Sequence, residues 1–130
     1  MDRKINSDTA LSMQQVASDL RFDTFESGRL TINKHTYTES VLIHQNTVVS
    51  TFNLTASELS NTHIQDWIKR YSPEFILIGT GSSSKILALN AVDANGLPVA
   101  VECMSTTACM RTFVALQCED RNFLCFLSVL

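Results

Sequence analysis

Phe75-Ile76-Leu77-Ile78 places four apolar residues in a row, and Gly79 stops the run. A strand with one wet face alternates apolar and polar residues. An unbroken apolar run of this length reads instead as a strand covered on both faces. Cover on both faces demands a layer on each side of a sheet, so this segment commits the chain to a layered β/α architecture. The residues downstream of it agree. Residues 85–92 predict a helix with Gly96 as its stop, and Val99-Ala100-Val101-Glu102-Cys103 predicts the next strand. Strand, helix and strand within about thirty residues make a βαβ unit, with a right-handed crossover expected. Ser105 or Thr106 can cap a further helix over residues 107–118, and residues 123–129 form the last strand.

The N-terminal half reads differently. From Gly28, short β-branched runs (Leu30 and Ile32, then Tyr37, then Val41 and Ile43, then Thr47 to Phe52) are punctuated by Asn33-Lys34-His35 and His44-Gln45-Asn46. That rhythm predicts an antiparallel meander. Ile64, Trp67, Ile68 and Tyr71 then fall on one face of a helix. Thr62 with Gln65 has capping-box spacing, and Thr55 with Glu58 offers a competing earlier start. Ser72-Pro73 ends the helix, because the residue before proline disfavours helical backbone. Residues 1–20, polar and rich in Ser, Asp and Gln, read as an N-terminal arm. Residues 21–130 read as a single α/β domain: three layers, a mixed central sheet, an N-terminal antiparallel meander and C-terminal βαβ-type units.

Composition removes several classes of function. The chain has 130 residues, 45% hydrophobic and 18% charged, which suits one globular domain and no disordered polymer. A net charge of −3 with no basic stripe argues against nucleic acid. The longest apolar run, Phe123 to Leu127, falls far short of the ~20 residues of a membrane helix, and no signal peptide is read at the N-terminus. Cys103, Cys109, Cys118 and Cys125 form no C-x-x-C pair and lie in apolar surroundings, so they read as small buried hydrophobes in a cytoplasmic protein. His35, His44 and His63 are scattered, without metal-ligand spacing, and no Ser-His-Asp constellation is visible. No catalytic residue, metal or cofactor is assigned. Ser82-Ser83-Ser84-Lys85 fits the S-x-x-K of serine β-lactamases, but the other motifs of those enzymes are absent.

Two features carry the candidate chemistry. Residues 107–118 are apolar nearly all round, which predicts a buried helix with Arg111 in its middle. A buried guanidinium needs an anionic acceptor. Glu102, on the strand before the helix, is expected to face a covered side and ranks first. Glu119 lies roughly 12 Å along the helix, long for direct contact, and a bound anion is the third acceptor. The second feature is the Gly79-Thr80-Gly81 turn at the end of the apolar strand, where open α/β sheets bind ligands. Glycines there admit a ligand to backbone amides, but a tight strand-to-helix turn is the favoured account of them. The resulting pocket comprises Gly79, Thr80, Gly81, Glu102, Thr106 and Arg111.

These same residues carry a family resemblance. Phe75-Ile76-Leu77-Ile78-Gly79-Thr80-Gly81, Val101-Glu102-x-Met104-x-Thr106, Ala108-x-x-Arg111-Thr112-Phe113, Leu116 and Glu119-x-Arg121 resemble a small domain family of largely unknown function. The family includes a mitochondrial respiratory complex I assembly factor and an adipogenesis-associated protein. The resemblance covers roughly residues 28–130. It implies a three-layer β/α fold with a crevice between the Gly-Thr-Gly turn and the start of the Arg-bearing helix, and it implies no agreed catalytic activity. Bacterial relatives are often encoded beside protein-export genes. Where the family usually has Arg-Thr-Tyr-Asn, this chain has Arg111-Thr112-Phe113-Val114, so a phenol and an amide are gone; Met110 and Pro98 also depart from the pattern. The expectation is a non-enzymatic binding or assembly accessory protein, self-associating, with a protein partner. The alternative is a small-molecule or anion site, or a minor enzyme, at the turn.

Overall fold

The computed structural model describes residues 19–82 and 97–129. The arm expected over residues 1–20 lies outside them except for its end, and there Leu20 is buried in the core. The expected helix at 85–92 lies outside them entirely.

Strand β1 (Phe22–Glu26) turns through Gly28, at φ +92°, into β2 (Arg29–Ile32). Asn33 and Lys34, at φ 50° and 66°, turn β2 into β3 (His35–Tyr37). Consecutive left-handed residues match the twist of a two-residue hairpin. Gln45 and Asn46, at φ 50° and 62°, join β4 (Ser40–His44) to β5 (Thr47–Phe52) in the same manner. The antiparallel meander is therefore present, but it serves two sheets. Strands β1-β2-β3 form a small sheet of their own, while β4 and β5 join a five-stranded sheet. The reason is burial. Ser40 to Ile43 are covered on both faces, whereas β3 is mostly exposed.

A 3-10 turn (Ala56–Glu58) comes next, and then helix α1 (Asn61–Tyr71). Thr55 N–H donates to Glu58 Oε1 at 2.7 Å, so that capping box closes the 3-10 turn. Helix α1 starts neither there nor at Thr62. Its N-cap is Ser60, whose N–H donates to His63 Nδ1 at 3.1 Å. The helix ends at Ser72, in left-handed backbone, directly before Pro73.

Strands β6 (Phe75–Gly79), β7 (Ala100–Met104) and β8 (Phe123–Leu127), with helix α2 (Thr106–Leu116) between the last two, are the remaining described elements. The large sheet runs β5-β4-β8-β6-β7, with β6 parallel to both β7 and β8 and β4 antiparallel to β8. It is the mixed sheet that the apolar run implied, with β8 at its centre.

Alternate residues sort the core into two layers. Val41, Ile43, Leu77, Phe123, Cys125 and Leu127 face one way, against Leu30 and Ile32 of the small sheet and Cys109 and Phe113 of α2. Leu42, Ile76, Ile78, Leu124 and Phe126 face the other way, against Leu59, Ile64 and Trp67. Trp67 stacks on Phe126 with centroids 5.7 Å apart. Each such large side chain, fully buried, stabilises the fold by about 1.5–3 kcal/mol.

Candidate functional site

The Gly79-Thr80-Gly81 turn leaves β6 at the carboxyl ends of three parallel strands, and α2 begins beside it. Space is the first constraint. A Cβ on Gly79 would lie 2.9 Å from Leu127 Cδ2 and 3.0 Å from both Cα and Oγ1 of Thr106. A side chain at position 79 would therefore force Leu127 and the start of α2 to shift. Gly81, at φ +110°, is required for the bend itself.

The polar groups of the turn hold one another. Thr80 N–H and Oγ1–H both donate to Met104 O, at 2.8 and 3.1 Å. Gly81 N–H donates to Thr106 Oγ1 at 2.9 Å, and Thr106 N–H returns a bond to Gly81 O at 2.8 Å. Thr106 Oγ1–H donates onward to Ser128 O at 2.6 Å, and Ser128 N–H donates to Gly79 O at 2.9 Å. Ser105 caps α2 by accepting from Ala108 N–H at 3.2 Å. One buried threonine hydroxyl thus ties the ends of β6 and β8 to the first turn of α2. Beside it, the hydroxyl of Ser128 is buried with no hydrogen-bond partner among the described residues.

The six residues singled out from sequence divide here. Gly79, Thr80, Gly81 and Thr106 converge. Glu102 and Arg111 stand apart from them and are exposed, contrary to the expectation that both are buried. Glu102 sits opposite Leu77 on β7, and among the described residues no further strand pairs with β7 on its outer side. Arg111 is five residues into α2, about 7.5 Å along the axis from Thr106 and about 140° around it. Among the described residues, neither side chain enters an ion pair. The apolar character of α2 is one-sided. Thr106, Cys109 and Phe113 point inward, while Thr107, Arg111, Val114 and Ala115 point outward, with Val114 51% exposed.

The cysteines divide as well. Cys109 and Cys125 are buried, Cys103 is partly buried, and Cys118 is exposed rather than buried as expected. Burial pushes the Cys103 thiol up to about 11, and burial also raises Cys125, aided by its contact with Cys109. Among the described residues, no three His, Cys, Asp or Glu side chains gather as metal ligands. Sequence reasoning did not single out the cavity of about 200 Å³ at the start of β4, lined by polar residues that include Glu39, Asn53, Thr55 and Glu58. Its lining comes from separate loops, with no motif to mark it.

Fold and site together define a three-layer β/α domain built on a mixed sheet, with a Gly-Thr-Gly turn locked to a helix start. The family described as protein of unknown function (DUF498/DUF598) matches residues 22–128, and the chain belongs to it. Solved structures with the same fold include a protein from Bordetella parapertussis, 21% identical, with TM-score 0.70 over 85% of this chain and 95% of that one. A Xanthomonas campestris protein is 20% identical, with TM-score 0.70 over 91% and 92%. A Bordetella pertussis protein described as a Mth938-like domain is 16% identical, with TM-score 0.67 over 92% of both chains. No curated protein matches by sequence. No described helix is long and apolar enough to cross a membrane.

Proposed function

We propose that the protein is a non-enzymatic binding or assembly accessory protein of the cytoplasm, which docks a protein partner on the outer face of α2. The observation that carries this reading is the pairing of Arg111 with Val114 on that face. A cation that enters no ion pair among the described residues stands one turn from a half-exposed aliphatic side chain. Such a face suits a partner that presents a carboxylate beside an apolar group. The engagement of the turn amides with internal acceptors supports the same reading. The relationship to an assembly factor rests on the resemblance in Arg111-Thr112-Phe113 and the Gly-Thr-Gly turn.

A tagged protein under gentle crosslinking is expected to recover a reproducible partner. The Arg111→Glu, Val114→Asp double variant is expected to lose it, with stability changed by less than about 0.5 kcal/mol because both sites are exposed. Equal capture by the variant, or no partner at all, overturns the reading.

A second reading rests on Ser128. Its hydroxyl, without a partner among the described residues, lies directly beside a main-chain bond to Gly79, at the strand ends where open α/β sheets take ligands. A small anion there would meet the Ser128 hydroxyl first and would reach Gly79, Thr80, Gly81 and Thr106 only by displacing their internal bonds, with Glu102 and Arg111 as outlying charges. A thermal-shift screen with phosphate, nucleotides and organic acids tests it. A ligand at a hundredfold its Kd stabilises by about 2.7 kcal/mol, and a flat screen leaves the turn with a structural role.

A further inference from the structure

Two thiols meet inside the molecule. Cys109, in the first turn of α2, and Cys125, at the centre of β8, are both fully buried, with their sulfurs 3.5 Å apart. Both are free thiols. The Thr106 hydroxyl fixes the start of α2 to the end of β8 three residues before Cys109, so the two sulfurs are held on elements that share an anchor. A disulfide needs them at about 2.05 Å. The remaining ~1.5 Å is within reach of a χ1 adjustment and a small settling of the helix.

We propose that Cys109 and Cys125 form an oxidation site, at which peroxide generates an intramolecular disulfide that staples α2 to the central strand. In the first step one thiol reacts with hydrogen peroxide. An S–O bond forms, the O–O bond breaks, the sulfur is oxidised to a sulfenic acid and one water leaves. In the second step the neighbouring thiol sulfur attacks the sulfenic sulfur. The S–S bond forms, the S–O bond breaks, and the departing hydroxide takes the thiol proton as a second water. Proximity decides the product, because the sulfenic acid finds a thiol before it meets more peroxide. Burial decides the rate. Burial raises the Cys125 thiol and shields both sulfurs from peroxide, so the reaction proceeds through openings of α2 and speeds up in mild denaturant. In a reducing compartment the pair rests as a dithiol and closes under peroxide stress.

The test uses the full chain carrying Cys118→Ser, which removes the exposed thiol and leaves the pair intact. The protein is treated with hydrogen peroxide, blocked with N-ethylmaleimide in denaturant and mapped by peptide mass spectrometry. The expected result is a monomer with a Cys109–Cys125 cross-link and a Tm raised by roughly 5–10 °C, both reversed by dithiothreitol. The proposal is overturned if both thiols stay alkylatable, if either proceeds to sulfinic acid without a cross-link, or if either pairs with Cys103 instead.

Discussion

Thr106 and Ser128 lie at the same strand end, both fully buried, and make opposite use of a hydroxyl. The Thr106 hydroxyl bonds Gly81 N–H and Ser128 O, while the Ser128 hydroxyl bonds nothing among the described residues. Thr106→Val keeps the shape and strands both backbone groups, so a loss of about 2–4 kcal/mol is expected. Ser128→Ala removes a hydroxyl already without a partner, and stability is expected to hold within about 0.5 kcal/mol or to rise. Urea midpoints of the two variants decide both. At this scale Thr106 was legible in sequence as a residue of the turn region, but its bonds were not, because they close between segments far apart in the chain. Arg111 misled for a different reason. Met110, Phe113 and Val114 surround it in sequence, yet sequence neighbours are splayed about 100° apart around a helix. The inward stripe of Thr106, Cys109 and Phe113 leaves Arg111 in solvent.

At the scale of elements, the strongest sequence signals were runs and stripes. The unbroken apolar runs at β6 and β8 became interior strands of the large sheet, and the stripe of Ile64 and Trp67 became the buried face of α1. Boundaries set by chemistry outside the usual motifs were less legible. Helix α1 starts on Ser60 with His63 in the place that a capping box gives to Glu or Gln, so the S/T-x-x-E/Q pattern passed over it. β1 was missed because Phe22-Asp23-Thr24-Phe25-Glu26 does not alternate cleanly, and the register shift between Phe22 and Thr24 shows why. The division of the meander between two sheets depends on which strands are covered twice, which local pattern does not encode. Gly79 is where elements meet most closely. Gly79→Ala places a methyl against the backbone of Thr106 as well as against Leu127, and backbone cannot swing aside. The expected loss is about 1–3 kcal/mol by denaturant titration, with most of the effect on the docking of α2.

Across the whole molecule, the question is whether the small sheet and the large sheet fold as one unit. Leu30 and Ile32 of the small sheet share one buried core with Val41, Ile43 and Leu127 of the large sheet, and further contacts at its rim add to that tie. Phe22 meets Phe113 edge-on at 5.3 Å, Gly28 N–H donates to Val129 O, and Gln117 Nε2 donates to Leu20 O at 2.6 Å. Each side also carries one carboxylate held below its ordinary range. The Lys34 backbone N–H lowers Asp23 in the small sheet, with Arg21 assisting. The Asn122 backbone N–H lowers Glu74 at the entry to β6, with Arg121 assisting. A depressed folded pKa contributes stability above the unfolded pKa, and that contribution is lost as pH falls through the folded value. Both contributions therefore disappear in the acid limb, at about pH 4 and below. Asp23→Asn and Glu74→Gln are each expected to flatten that limb. Trp67 is the sole tryptophan and reports only the large sheet, while circular dichroism reports both sheets. If residues 21–130 form one cooperative domain, each substitution changes the acid transition equally by fluorescence and by dichroism. If Asp23→Asn alters the dichroism alone, the small sheet melts apart from the large one, and the shared core with its rim contacts is too weak to couple them.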